Sequence, residues 1–75
     1  MSLDETLREH FAGVSTAEII RRINRAPDFG YDDEEYELNR RLTEQSLTWK
    51  WVRGDSGHQV VEVFNPQTGQ PAAFR

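Results

Sequence analysis

Cysteine is absent from the 75 residues, so neither a disulfide framework nor a zinc–thiolate centre can reinforce the fold. The small, disulfide-stapled secreted scaffold is thereby excluded, and the chain is expected in the cytoplasm. Long hydrophobic runs are missing too. Apolar residues make up 36% of the chain and never approach the roughly 20 in succession that a bilayer-spanning helix needs. No signal-peptide pattern opens the sequence, and no membrane partner is expected. There is no internal repeat and no low-complexity linker. The length allows one hydrophobic core and no second domain, so residues 1–75 are expected to form a single unit of modest stability.

Catalytic and cofactor constellations are equally scarce. Only two histidines occur, His10 and His58, and they fall in different segments with no cysteine beside them, which removes the usual transition-metal spacings. Asp55, Ser56 and His58 crowd into one turn, whereas a nucleophilic triad needs a base oriented by a third group across a preformed pocket. The acidic run lacks the ligand alternation and central glycine of an EF-hand, and Gly54, Gly57 and Gly69 stand singly rather than in a phosphate-cradling loop. The expectation is a protein that is not an enzyme and has no catalytic, metal or cofactor residues. Arg53-Gly54-Asp55 matches a cell-adhesion tripeptide and is read as turn chemistry.

What is present is local helix and strand grammar. Ser2 with Glu5 forms a capping box, and Leu3, Leu7, Phe11 and Val14 recur at helical spacing, which predicts a helix over 2–12 ended by Gly13. Ser15-Thr16-Ala17-Glu18 repeats the box, with Val14 and Ile19 as its hydrophobic staple and Ile19, Ile20 and Ile23 as an apolar stripe. A second helix over 15–25 follows, stopped by Pro27. Asp32 and Glu35, stapled by Tyr31 and Tyr36, open a third over 32–46 that carries Leu38 and Leu42 inward. Leu47 to Arg53 and Gln59 to Asn65 then alternate with period two around a Gly-rich turn and predict a hairpin over 47–53 and 59–65. Leu47, Trp49, Trp51, Val61 and Val63 share one face; Val52, Val60 and Phe64 share the other. After the turn at Pro66-Gln67-Thr68-Gly69, residues 70–74 form either an edge strand or a loose tail. The fold class is α+β.

Two phrases carry a family resemblance: Gly13-Val14-Ser15-Thr16-Ala17-Glu18-Ile19-Ile20-Arg21-Arg22-Ile23, and Leu38-Asn39-Arg40-Arg41-Leu42-Thr43-Glu44-Gln45-Ser46-Leu47-Thr48-Trp49. With the order of three helices followed by a hairpin, residues 13–65 resemble the winged helix-turn-helix superfamily. The resemblance implies that Asp32 to Gln45 is the recognition helix, Arg53 to His58 the wing tip, and DNA the partner.

Charge points elsewhere. The net charge is −4, and Asp28, Asp32, Asp33, Glu34, Glu35 and Glu37 concentrate negative charge where such a helix would meet phosphates. Carboxylates also complement a helix N-terminus simply as dipole partners. The first reading is therefore a small non-catalytic regulatory or adaptor protein that binds a macromolecule, most readily a protein. Its candidate contacts are Asp32, Asp33, Glu34 and Glu37, together with the aromatic hairpin residues Trp49 and Trp51, whose ribbon face would otherwise serve the core or a homodimer. The alternative is a winged-helix DNA-binding regulator using Arg21, Arg22, Arg40, Arg41, Lys50 and Arg53.

Overall fold

The computed structural model describes residues 3–25 and 32–75. Three helices, α1 (Leu3–Phe11), α2 (Thr16–Arg25) and α3 (Asp32–Glu44), are followed by strands β1 (Thr48–Arg53) and β2 (Gln59–Phe64), an α+β arrangement. The expected Ser2 cap, the stop at Pro27 and the Tyr31 half of the third staple lie outside the described residues.

At the start of α2 the Ser15 half of the expected capping box forms, while the Glu18 carboxylate turns to Arg21 and Arg22. The Glu18 amide donates to Ser15 Oγ at 3.1 Å, satisfying one of the orphan donors of a helix start. Gly13 does not act as a left-handed cap, since its φ is not positive. Instead the Val14 amide closes a turn onto the Phe11 carbonyl at 2.9 Å, and that carbonyl also accepts from Arg41 Nη2 at 2.9 Å. An arginine from α3, rather than a glycine in the loop, satisfies the end of α1.

The C-terminus of α3 follows the Schellman pattern. Ser46 N donates to the Thr43 carbonyl at 3.1 Å and Leu47 N to the Leu42 carbonyl at 2.8 Å, with Ser46 at φ 60° in the left-handed region that glycine usually occupies. The chain reverses there into the hairpin, which is antiparallel with Trp49 opposite Val63 and Trp51 opposite Val61. In the hairpin turn Gly57 adopts φ 86°, a conformation that a side chain would strain.

One cluster forms the core: Leu7 and Phe11 from α1, Ile19 and Ile23 from α2, Leu38 and Leu42 from α3, and Val63 from β2. Of the apolar residues at helical spacing, these six helix positions are buried, while Val14 and Ile20 are half-buried against them. Leu47, Trp49, Trp51 and Val61 pack against this cluster from the hairpin while remaining half-buried. Residues beyond β2 form one isolated bridge, Phe64 to Pro71, extended by Ala72 N donating to the Val63 carbonyl at 3.1 Å. A full third strand is not reached, partly because Pro71 has no N–H to add to a ladder. No described helix is long and apolar enough to cross a membrane.

Candidate partner interface

The centre of the charged architecture is Glu37. Its side chain lies one turn into α3 and is only 1% exposed, so its charge requires compensation on the spot. Arg40 supplies a two-pronged contact, Nε to Oε1 at 3.0 Å and Nη2 to Oε2 at 2.6 Å. Arg41 adds Nε to Oε2 at 2.7 Å. The spacing is the physical cause: residues three and four apart share a helix face. Burial pushes the Glu37 carboxyl up, but hydrogen bonds and charge from Arg40 and Arg41 outweigh it and hold the group below its ordinary value. The same pairing raises Arg40.

Arg41 then leaves the pair and ties three elements together. Besides the Phe11 carbonyl, it donates from Nη1 to Thr16 Oγ1 at 3.0 Å. Thr16, itself buried, donates its hydroxyl to the Arg75 carbonyl at 2.8 Å. Gln45 completes the junction, accepting from Arg75 N at 2.8 Å and donating to the Arg75 carbonyl at 3.1 Å. No buried side-chain nitrogen or oxygen among the described residues lacks a partner.

This network redistributes the candidates for both readings. Glu37, a partner candidate by sequence, is interior and offers nothing to a second molecule. Arg40 and Arg41, candidates for phosphate contact, are 22% and 16% exposed and committed to Glu37; Arg40 also donates to Glu44 at 2.9 Å. Arg21 and Arg22 both reach Glu18, at 2.8 and 3.4 Å. Lys50 lies over the Phe64 ring at 4.8 Å. Arg53 is exposed at the end of β1 and has no partner among the described residues. Of these six cations, two are paired on α3, two are paired on α2 and two lie on β1.

Among the acidic candidates, Asp33 is exposed and Glu34 half-buried; the side chain of Asp32 lies outside the described residues. Asp33 begins an outward stripe on α3 that continues through Tyr36, Asn39 and Thr43, all exposed and spaced three or four apart. Tyr36, Asn39, Arg40, Thr43 and Glu44 line a shallow groove of about 360 Å³. Tyr36 is 42% exposed, unusual for a large ring. In the sequence it reads as half of a helix-start staple, and its exposure marks it as a contact residue. Trp49 joins the stripe through its indole N–H, which donates to Asn39 Oδ1 at 2.6 Å, and its ring meets Trp51 edge to face at 5.2 Å between centroids. The two tryptophans thus brace the inner hairpin face and bring β1 beside the groove.

No known protein family matches this chain, and neither a curated protein nor a solved structure is similar enough to count as a relative.

Proposed function

We propose that this chain is a small non-catalytic regulatory or adaptor module that binds a protein, using the outward stripe of α3 from Asp33 through Tyr36 to Thr43 and the adjoining hairpin. One observation carries the reading: the arginines on which a DNA-reading role would depend, Arg40 and Arg41, are bound to the buried Glu37 at 2.6 to 3.0 Å. A phosphate could recruit them only by leaving that carboxylate without its counter-charge, which costs several kcal/mol in a water-poor site. The winged-helix element order remains compatible with a binding role, since a fold hosts many functions and the site decides among them. Asp33 and Glu34 then steer association toward basic groups on the partner.

The test compares the signs of two responses. Neutralising Asp33 and Glu34 together, as Asp33→Asn and Glu34→Gln, is expected to slow association with a protein captured by the immobilised chain, at unchanged fold. A DNA reader would respond oppositely, gaining duplex affinity once the repulsion is removed. Its affinity would also fall with salt at a slope of about −0.9 per phosphate neutralised. Duplex binding near or below about 10⁻⁸ M at physiological salt would overturn the proposal.

A further inference from the structure

The two outer edges of the hairpin are unequal. Gly54 N donates to the His58 carbonyl at 2.8 Å and continues the strand register past its end. Because antiparallel pairs alternate between bonded and non-bonded, Thr48, Lys50 and Val52 bond across to β2, while the main-chain groups of Trp49, Trp51 and Arg53 point away from it. The corresponding groups of β2 are those of Gln59, Val61 and Val63. Two of these residues are met from outside the hairpin: Val61 N donates to Asn24 Oδ1 at 2.8 Å and the Val63 carbonyl accepts from Ala72 N. α2 and the C-terminal segment thus cover the β2 edge at Val61 and Val63. On β1, no hydrogen bond from the described residues reaches the outward main-chain groups of Trp49, Trp51 and Arg53.

We infer that the open edge of β1 takes an extended segment of a protein partner as a third strand, one that alternates acidic and apolar residues. This rests on the protein-binding reading and names the mode by which it operates. Charge selects the occupant. Lys50 and Arg53 are exposed on this strand, which carries no carboxylate, so a second copy pairing β1 to β1 would set like charges against each other, an arrangement that disfavours edge association. A carboxylate opposite Lys50 instead gains a charge partner, and the contact with Phe64 that Lys50 gives up is weak at an exposed site. On the opposite side, apolar residues of the incoming strand meet the Tyr36 and Asn39 groove, which the Asn39 to Trp49 bond places next to this edge. Main-chain bonds then supply affinity and alternate side chains supply selectivity.

The experiment uses the full chain, isotope-labelled, with two capped six-residue peptides, one alternating Val and Glu and one alternating Val and Lys. The Val/Glu peptide is expected to shift the amide signals of Trp49, Trp51 and Arg53 and to slow their hydrogen exchange, leaving Val52 and Lys50 amides unaffected; the Val/Lys peptide should do neither. Arg53→Pro removes an outward donor without touching the cross-strand ladder. It should weaken peptide binding by about threefold to tenfold relative to Arg53→Gln, the worth of one hydrogen bond. The inference is overturned if the edge amides do not respond, if both peptides act alike, or if Arg53→Pro matches Arg53→Gln. It is also overturned if the same amides change with protein concentration alone, the mark of β1 self-pairing. A duplex oligonucleotide titrated into the same sample separates the two levels. Tight duplex binding sinks the protein-binding reading, whereas a silent edge without duplex binding sinks only the strand addition.

Discussion

Glu37 shows how a single residue can change sides between sequence and structure. Its acidic neighbourhood marked it as surface, yet the two arginines at i+3 and i+4 already contained the means to bury it. The spacing was legible; the burial was not, because it depends on α1 and α2 closing over that face. Glu37→Gln keeps the shape and removes the charge that both arginines answer. The expected loss is about 3 kcal/mol, the lower end for breaking a buried pair, because both guanidinium groups retain some water contact. Urea unfolding would measure it. Protonation removes the same charge reversibly. The folded-state value of Glu37 is depressed below its ordinary 4.5, so its contribution is fully present above that value and is lost as pH falls through the lower folded one. Stability of the native chain should decline more steeply below about pH 4.5 than that of Glu37→Gln, in which this titration is gone.

Helices and strands are legible to within a residue or two, because their signals are local: Ser15 caps α2 through the Glu18 amide, and the period-two alternation sets the faces of the hairpin. Element ends that rely on distant partners are not. Gly13 looked like a cap, but Arg41 does that work from across the molecule. The reversal at Ser46 is the converse, a left-handed residue without the glycine that would have announced it. Ser46→Gly should therefore stabilise the chain by about 0.5–1 kcal/mol, read as a higher thermal midpoint, since relief of the side-chain strain outweighs the added freedom of the unfolded state. The two tryptophans share the hairpin face that packs on the core. Both are half-buried braces against the core, and among the described residues Phe11 is the fully buried aromatic. Phe11→Ala should cost about 3–5 kcal/mol, and Trp49→Ala and Trp51→Ala distinctly less, in the same denaturant series.

At the scale of the whole molecule, Arg41 and Thr16 join what periodicity cannot connect. Through them the start of α2, the end of α1, the last turn of α3 and Arg75 meet at one junction. Thr16→Val has nearly the same shape but no hydroxyl, so it leaves a donor of Arg41 and the carbonyl of Arg75 each short of one partner. Gln45 still holds Arg75 at both main-chain groups, which limits the damage to about 1–3 kcal/mol. The loss should be regional. The Ala72 amide, bonded to Val63 outside the hairpin ladder, should exchange faster with solvent, while amides bonded between β1 and β2 should exchange at rates set by global stability alone. Because Thr16 and Glu37 both act through Arg41, their effects must interact. In Glu37→Gln the guanidinium is already poorly anchored, so adding Thr16→Val should cost less than the two single changes would together. A double-mutant cycle is expected to give a coupling of about 0.5–2 kcal/mol, within the range for residues that share one network. Strict additivity would mean that Arg41 serves the two partners independently and that the junction is not a cooperative unit.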